Sequence, residues 1–185
     1  MANLDAPNGL KPVRHLTGGV IRTEEFKIAS GSSTAIFTGD CVKLLGTGYI
    51  DECDAGDRIL GVFAGCSYAN SSGEQIFSRQ WTASATTQGS VDVTAYVYSD
   101  PNIVFAVQSA GSADFADIGQ LADIVATAGD TNTGQSKHEI SGTTGTGTAG
   151  LRILGLYEEP KNAYGTNGVL EVQIYEHELS FATGV

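Results

Sequence analysis

The chain has 185 residues, of which 41% are hydrophobic and 17% charged, with 24 glycines and a formal net charge of −11. A chain of this length can bury a core without metals or disulfides, and the composition excludes a disordered polyelectrolyte. The carboxylate excess repels phosphates and anionic headgroups, so neither nucleic acid nor a membrane surface is an expected partner.

Residues 1–19 read as an extended N-terminal arm. Pro7, Gly9, Pro12, Gly18 and Gly19 interrupt regular structure there, and such a segment orders on a partner. The first part of the chain, the arm included, is near-neutral to basic. Lys11, Arg14, Arg22 and Lys27 outnumber Asp5, Glu24 and Glu25, whereas Gln80 to Ser136 holds six aspartates and no Lys or Arg. One use for that asymmetry is an arm lying on an acidic neighbour while the body faces water.

Residues 20–185 read as a single β-rich domain. Val20 to Ile28 is the first predicted strand, and a short one covers Ala35 to Phe37. Cys41 to Leu45 and Tyr49 to Cys53 flank Gly46-Thr47-Gly48, a hairpin signal. Ile59 to Tyr68 is the longest apolar strand. Asn70 to Gly73 turns the chain into Gln75 to Trp81, where Ile76 and Phe77 are expected in the core. Val91, Val93, Ala95 and Val97 alternate with Asp92, Thr94, Tyr96 and Tyr98, the period-two pattern of a half-buried strand. The turn Ser99-Asp100-Pro101-Asn102 predicts a hairpin with Ile103 to Val107.

Residues 113–127 allow two readings. Phe115, Ile118, Leu121 and Val125 share a helical face, with Ser112 as a cap, but a break at Gly119 makes Gln120 to Ala126 a strand. Residues 127–150 are rich in Gly and Thr and read as a long flexible excursion. Leu151 to Tyr157 and Val169 to Leu179 are the last strands, the second with Leu170, Val172 and Ile174 on one face. The fold class expected is all-β, a mainly antiparallel β-barrel or β-sandwich with roughly ten strands and at most one short helix.

Catalytic and metal-binding patterns are weak. His15, His138 and His177 form no H-x-x-x-H or H-x-H pair, so they read as isolated surface histidines and no metal site is expected. Asp51, Glu52, Asp54 and Asp57 lack the alternating spacing of a calcium loop and read as a solvated acidic turn. Gly145 to Gly150 matches G-x-G-x-x-G, but no strand precedes it and no helix is expected after it, so it reads as accidental. There is no G-x-S-x-G elbow. The expectation is a non-enzyme with no cofactor. Trp81, Tyr96 and Tyr98 read as core or subunit-contact residues, with a sugar-binding face as the rival. Cys41, Cys53 and Cys66 show no C-x-x-C spacing and read as reduced thiols of a protein made in a cytoplasm. The first residues lack the charged and apolar regions of a signal peptide.

The opening Leu4-Asp-Ala-Pro-Asn-Gly-Leu-Lys-Pro-Val-Arg-His-Leu-Thr-Gly-Gly19 resembles the start of small virion structural proteins of tailed bacteriophages. Gly61 to Gly65, Asp100 to Asn102, Asp117 to Gln120, Asn162 to Gly165 and Glu176 to Leu179 extend the resemblance along the chain. It implies a capsid decoration, or cement, protein: made in the host cytoplasm, located on the virion surface, bound to the major capsid protein. It implies no catalytic residues. A symmetric homo-oligomer follows from such a role, a trimer first and a dimer second. Leu4, Pro7, Leu10, Lys11, Pro12, Arg14, His15 and Leu16 are then the expected capsid or subunit contacts. Other virion positions (tail or neck) and a carbohydrate-binding adhesion module are the alternatives.

Overall fold

The computed structural model describes residues 3–147 and 149–180. The chain forms β1 (Lys11–His15), β2 (Glu24–Ile28), β3 (Ile36–Phe37), β4 (Cys41–Leu44), β5 (Ile50–Glu52) and β6 (Gly61–Ala69). Then come β7 (Gln75–Ser78), β8 (Gln80–Trp81), β9 (Val93–Tyr98), β10 (Ile103–Gln108), β11 (Ser112–Ala113) and β12 (Leu121–Ala122). The last are β13 (Ile124–Val125), β14 (Glu139–Ile140), β15 (Leu151–Leu156), β16 (Gly165–Thr166) and β17 (Val169–Ile174). The helical elements among the described residues are 3₁₀ turns of three residues, too short to cross a membrane.

Two antiparallel sheets make the body. One has the order β1-β10-β17-β15-β12; the other runs β2-β9-β6-β4-β5, with β7 added on β6. They face each other across a shared core, in which Cys41 and Val62 of the second sheet meet Phe105, Ile153 and Val172 of the first. The second sheet curls around a further core of Ile28, Val42, Phe63, Trp81, Ala95 and Val97. Its ends β2 and β5 come close but do not pair, so no barrel closes. The expected all-β, mainly antiparallel class is what the chain adopts.

Local chemistry explains several elements. β4 and β5 form the expected hairpin, closed by Leu45 N–H donating to Tyr49 O at 2.8 Å, with Gly48 at φ 85° supplying the left-handed turn. β6 and β7 pair through the Asn70 to Gly73 turn as the sequence suggests. β17 buries Leu170, Val172 and Ile174, and β9 buries Val93, Ala95 and Val97, each with period two.

Four expectations are corrected. Ser99 to Asn102 does not close a hairpin. β9 already pairs with β2 and β6, and β10 with β1 and β17, so the turn carries the chain from one sheet to the other. Residues 113–127, which allowed either a helix or a break at Gly119, take the second course. Gly119 takes φ 86°, and the stretch splits into a 3₁₀ turn, β12 and β13. Residues 127–150 are not a loose excursion. Ser136, His138 and Ile140 are fully buried, and Ser136 N–H donates to Thr38 O at 3.0 Å. Phe77 is 75% exposed, because the β7 face that carries it has no layer above it.

The fourth correction concerns the arm. Lys11–His15 is a strand at a sheet edge, paired with β10, and Pro12 is tolerated there. Upstream, Asn3 Nδ2 donates to Ala163 O at 2.8 Å, Ala6 N–H to Gln108 Oε1 at 3.0 Å, and Leu10 N–H to Gly39 O at 2.9 Å. Leu10 is 1% exposed, within the shared core. Gly9, at φ 63°, passes so close to Ser136 that a Cβ there would lie 2.5 Å from the Ser136 Cβ. The segment is therefore part of the body. Leu10→Ala should lower the unfolding free energy by about 2–5 kcal/mol in urea denaturation. Gly9→Ala should also destabilise, through both the clash and the left-handed backbone. An unchanged midpoint for both variants contradicts this packing.

Candidate functional site

The eight sequence-derived contact residues divide into three groups once placed. Leu4 is 80% exposed and Leu16 43%, and Val20 just beyond them is 86% exposed. Lys11 is also exposed, and Pro7 and Pro12 are half-buried. Leu10 is lost to the core and is withdrawn as a contact, since a fully buried side chain reaches no partner.

Arg14 and His15 are engaged within the chain. Arg14 Nε and one terminal nitrogen both donate to Glu171 Oε2, at 3.0 and 2.7 Å, across the outer face of the first sheet. That pair is partly exposed, so it orients the side chains more than it stabilises the fold. His15 Nδ1 accepts Gly19 N–H at 3.1 Å and Thr17 N–H at 3.3 Å. The ring proton is thereby placed on Nε2, which donates to Asp100 Oδ2 at 3.0 Å. The Asn102 backbone N–H, and then His15, hold the Asp100 carboxyl below its ordinary range. Both residues thus fix the course of the segment, and the apolar groups at its two ends are left facing outward. A groove of about 800 Å³ runs beside it, lined by Leu4, Lys11, Val13, Gln108, Tyr157 and Asn162 among others.

Trp81 is fully buried in the second core, its Nε1–H donating to Ser32 O at 3.3 Å. Tyr68 meets it edge-on at 5.4 Å. Trp81 therefore belongs to the core and lines no sugar-binding face.

A second site was not visible in the sequence. Gly39, at φ 100°, lets the chain between β3 and β4 turn so that Asp40 Oδ2 accepts Phe37 N–H at 2.6 Å. Asp40 Oδ1 then lies 3.4 Å from His138 Nε2, and Glu52 Oε1, from β5, lies 2.9 Å from the same nitrogen. His138 Nδ1 accepts Cys41 N–H at 3.3 Å, which puts the ring proton on Nε2 between the two carboxylates. Asp40 and His138 are completely buried, and burial pushes the Asp40 carboxyl up to about 6 against the pull of His138. Within the acidic run of β5 and its loop, Asp57 pairs with Lys43 at 2.6 Å as an ordinary surface group, while Glu52 turns inward. No spacing rule links these three positions, because His138 follows Glu52 by 86 residues.

The expectation of surface histidines is corrected throughout: His138 and His177 are completely buried, and the His15 side chain is 7% exposed. The three cysteines are free and buried, and burial pushes the Cys66 thiol up to about 12. Gly145 bridges Leu121 by two backbone bonds of 2.9 Å, and Gly150 leads into β15, so the glycine fingerprint opens no helix. Comparison with known family models, curated proteins and solved structures finds no match.

His177 supplies a pH prediction. Its Nδ1 accepts Leu179 N–H at 3.1 Å, its Nε2 makes no hydrogen bond of normal geometry, and burial holds its pKa below the ordinary value against the opposing pull of the Ser99 backbone and Asp100. The unfolded chain then binds this proton more readily, so stability falls as pH drops through about 6.5. His177→Asn keeps an acceptor for the Leu179 amide and does not titrate. Between pH 7 and 5 the wild type should lose more melting temperature than this variant; equal losses refute the assignment.

Proposed function

We propose that this chain is a capsid decoration protein that binds the outer surface of a tailed-phage head and stabilises the shell against internal DNA pressure. The observation that carries the reading is the pair of outward-facing apolar ends on the N-terminal segment, Leu4 on one side and Leu16 with Val20 on the other. Between them, β1 lies at the edge of its sheet. The outer side of such a strand offers backbone donors and acceptors to an added chain.

A segment fixed by Leu10, Arg14 and His15 presents those groups already ordered, so docking costs little conformational entropy. Individual contacts can be modest, because shell symmetry multiplies them. The partner is the major capsid protein, with a homo-oligomer, a trimer before a dimer, as the bound form. The role needs no catalysis and no cofactor. Free thiols suit synthesis in a reducing host cytoplasm before assembly on the virion.

Deleting residues 1–19 is a poor test, since it removes Leu10 and β1 from the fold. The better test adds purified protein to heads that lack it and counts bound copies after sedimentation. Saturation on the order of hundreds of copies per head is expected from a symmetric shell. Leu16→Asp with Val20→Asp should reduce occupancy at least about tenfold with an unchanged melting temperature. Saturation at a dozen copies or fewer points to a neck or tail position. Undiminished binding by the variant overturns the assigned surface.

A further inference from the structure

A surface-binding role makes no use of the buried cluster of Asp40, Glu52 and His138. We propose that these three residues form a binding site for a divalent transition-metal ion of the zinc class. Its ligands are His138 Nε2, Asp40 Oδ1 and a Glu52 carboxylate oxygen, with a fourth position open on the side of Glu52.

The three ligand atoms lie within 4.8 Å of one another, with Nε2 2.9 Å from Glu52 Oε1 and 3.4 Å from Asp40 Oδ1. Ligands of a four-coordinate zinc, each at 2.0–2.1 Å, stand roughly 3.3 Å apart. Both separations from Nε2 are close to that spacing, and the two carboxylate oxygens stand within 4.8 Å of each other.

The second observation is independent of the clustering. Asp40 is 0% exposed, and its Oδ1 makes no hydrogen bond of normal geometry, although His138 Nε2 stands 3.4 Å away and the Ser136 hydroxyl also bears on the carboxyl. A buried carboxylate oxygen without a well-placed donor is rare and calls for a counter-ion or a proton. This atom is aimed at the nitrogen that Glu52 also faces. A single ring proton serves two carboxylates there, and one divalent ion would balance both. The Glu52 side chain is 24% exposed, which leaves a path for the ion and for a water in the fourth position.

One feature opposes the ion and limits its affinity. Metal-bound imidazoles normally donate the second ring N–H to an acceptor. Here Nδ1 faces a donor, Cys41 N–H, at 3.3 Å. Coordination at Nε2 moves the ring proton to Nδ1 and breaks that long contact. The mismatch should weaken binding about 10–100-fold against a site with a normal second partner. The imidazole still favours zinc-class ions over magnesium and calcium. Because the ligands come from the β3–β4 connection, β5 and the stretch before β14, an ion would fasten residues 134–140 to the β4–β5 hairpin.

The test uses the full chain, stripped with chelator and titrated with zinc chloride by calorimetry. Binding of one ion per chain is expected, with a rise of several degrees in melting temperature and no such rise with millimolar magnesium. Nitrogen-15 spectra of the imidazoles should show the His138 proton on Nε2 before zinc and on Nδ1 after. Glu52→Gln, a change at a partly exposed side chain, should weaken uptake at least about tenfold. Failure to bind one equivalent overturns the proposal. So does uptake that leaves the His138 proton on Nε2, which would assign the zinc to other groups. The spectra are read on the wild type, so the test stands even where a variant fails to fold.

Discussion

Strand β6 has no solvent face along its first half, and the architecture follows from that. Val62 points into the core shared with the five-stranded sheet, and Phe63 points into the core enclosed by its own sheet. Gly61 packs against the Tyr98 carbonyl so closely that a side chain there would collide with it. At Ala64 the register with β9 slips, and Gly65 takes φ 149°, which the bulge requires. A strand buried on both sides must satisfy every backbone group through its neighbours, and β4, β7 and β9 supply those partners. The second sheet can curl around Trp81 only because its central strand accepts packing from both directions.

That arrangement sets what the sequence could reveal. β9 and β17 each have one apolar side and one wetter side, so their periodicity is plain in the letters. β10 is buried at all six positions, Ile103 to Gln108, and its run has no period to read. The β4–β5 hairpin is local, so its glycine-rich turn announces it. The partners of β9 and β10 are long-range, and Ser99 to Asn102 looks like any tight turn. Composition misled most at 127–150. A stretch full of Gly, Thr and Ser suggests solvent, yet Ser136 and His138 are buried because hydrogen bonds meet their polar atoms.

The two candidate sites differ in legibility for the same reason. The exposed groups Leu4 and Leu16 lie within one short segment, so a linear reading finds them, although it cannot separate them from the buried Leu10 between them. The Asp40, Glu52 and His138 cluster exists only after three distant pieces of chain have met. It depends on Gly39 adopting a left-handed conformation and on Gly9 passing Ser136 without a side chain. The N-terminal segment and the acid–histidine cluster therefore share a wall: the 134–140 stretch that Gly9 crosses also carries His138.

The chain order of the five-stranded sheet bears on biosynthesis. β1 is made early, but the strand it pairs with is β10, and β10 itself lies between β1 and β17. Closing such distant pairings is slow, since the loop entropy is spent before the contacts form. A nascent chain leaving the ribosome cannot complete this sheet until residues 169–174 have emerged. Leu4 and Leu16 thus take up their outward positions only in a finished polypeptide. Fragments that end before β17 would lack the strand that holds β10, and with it the ordered N-terminal edge.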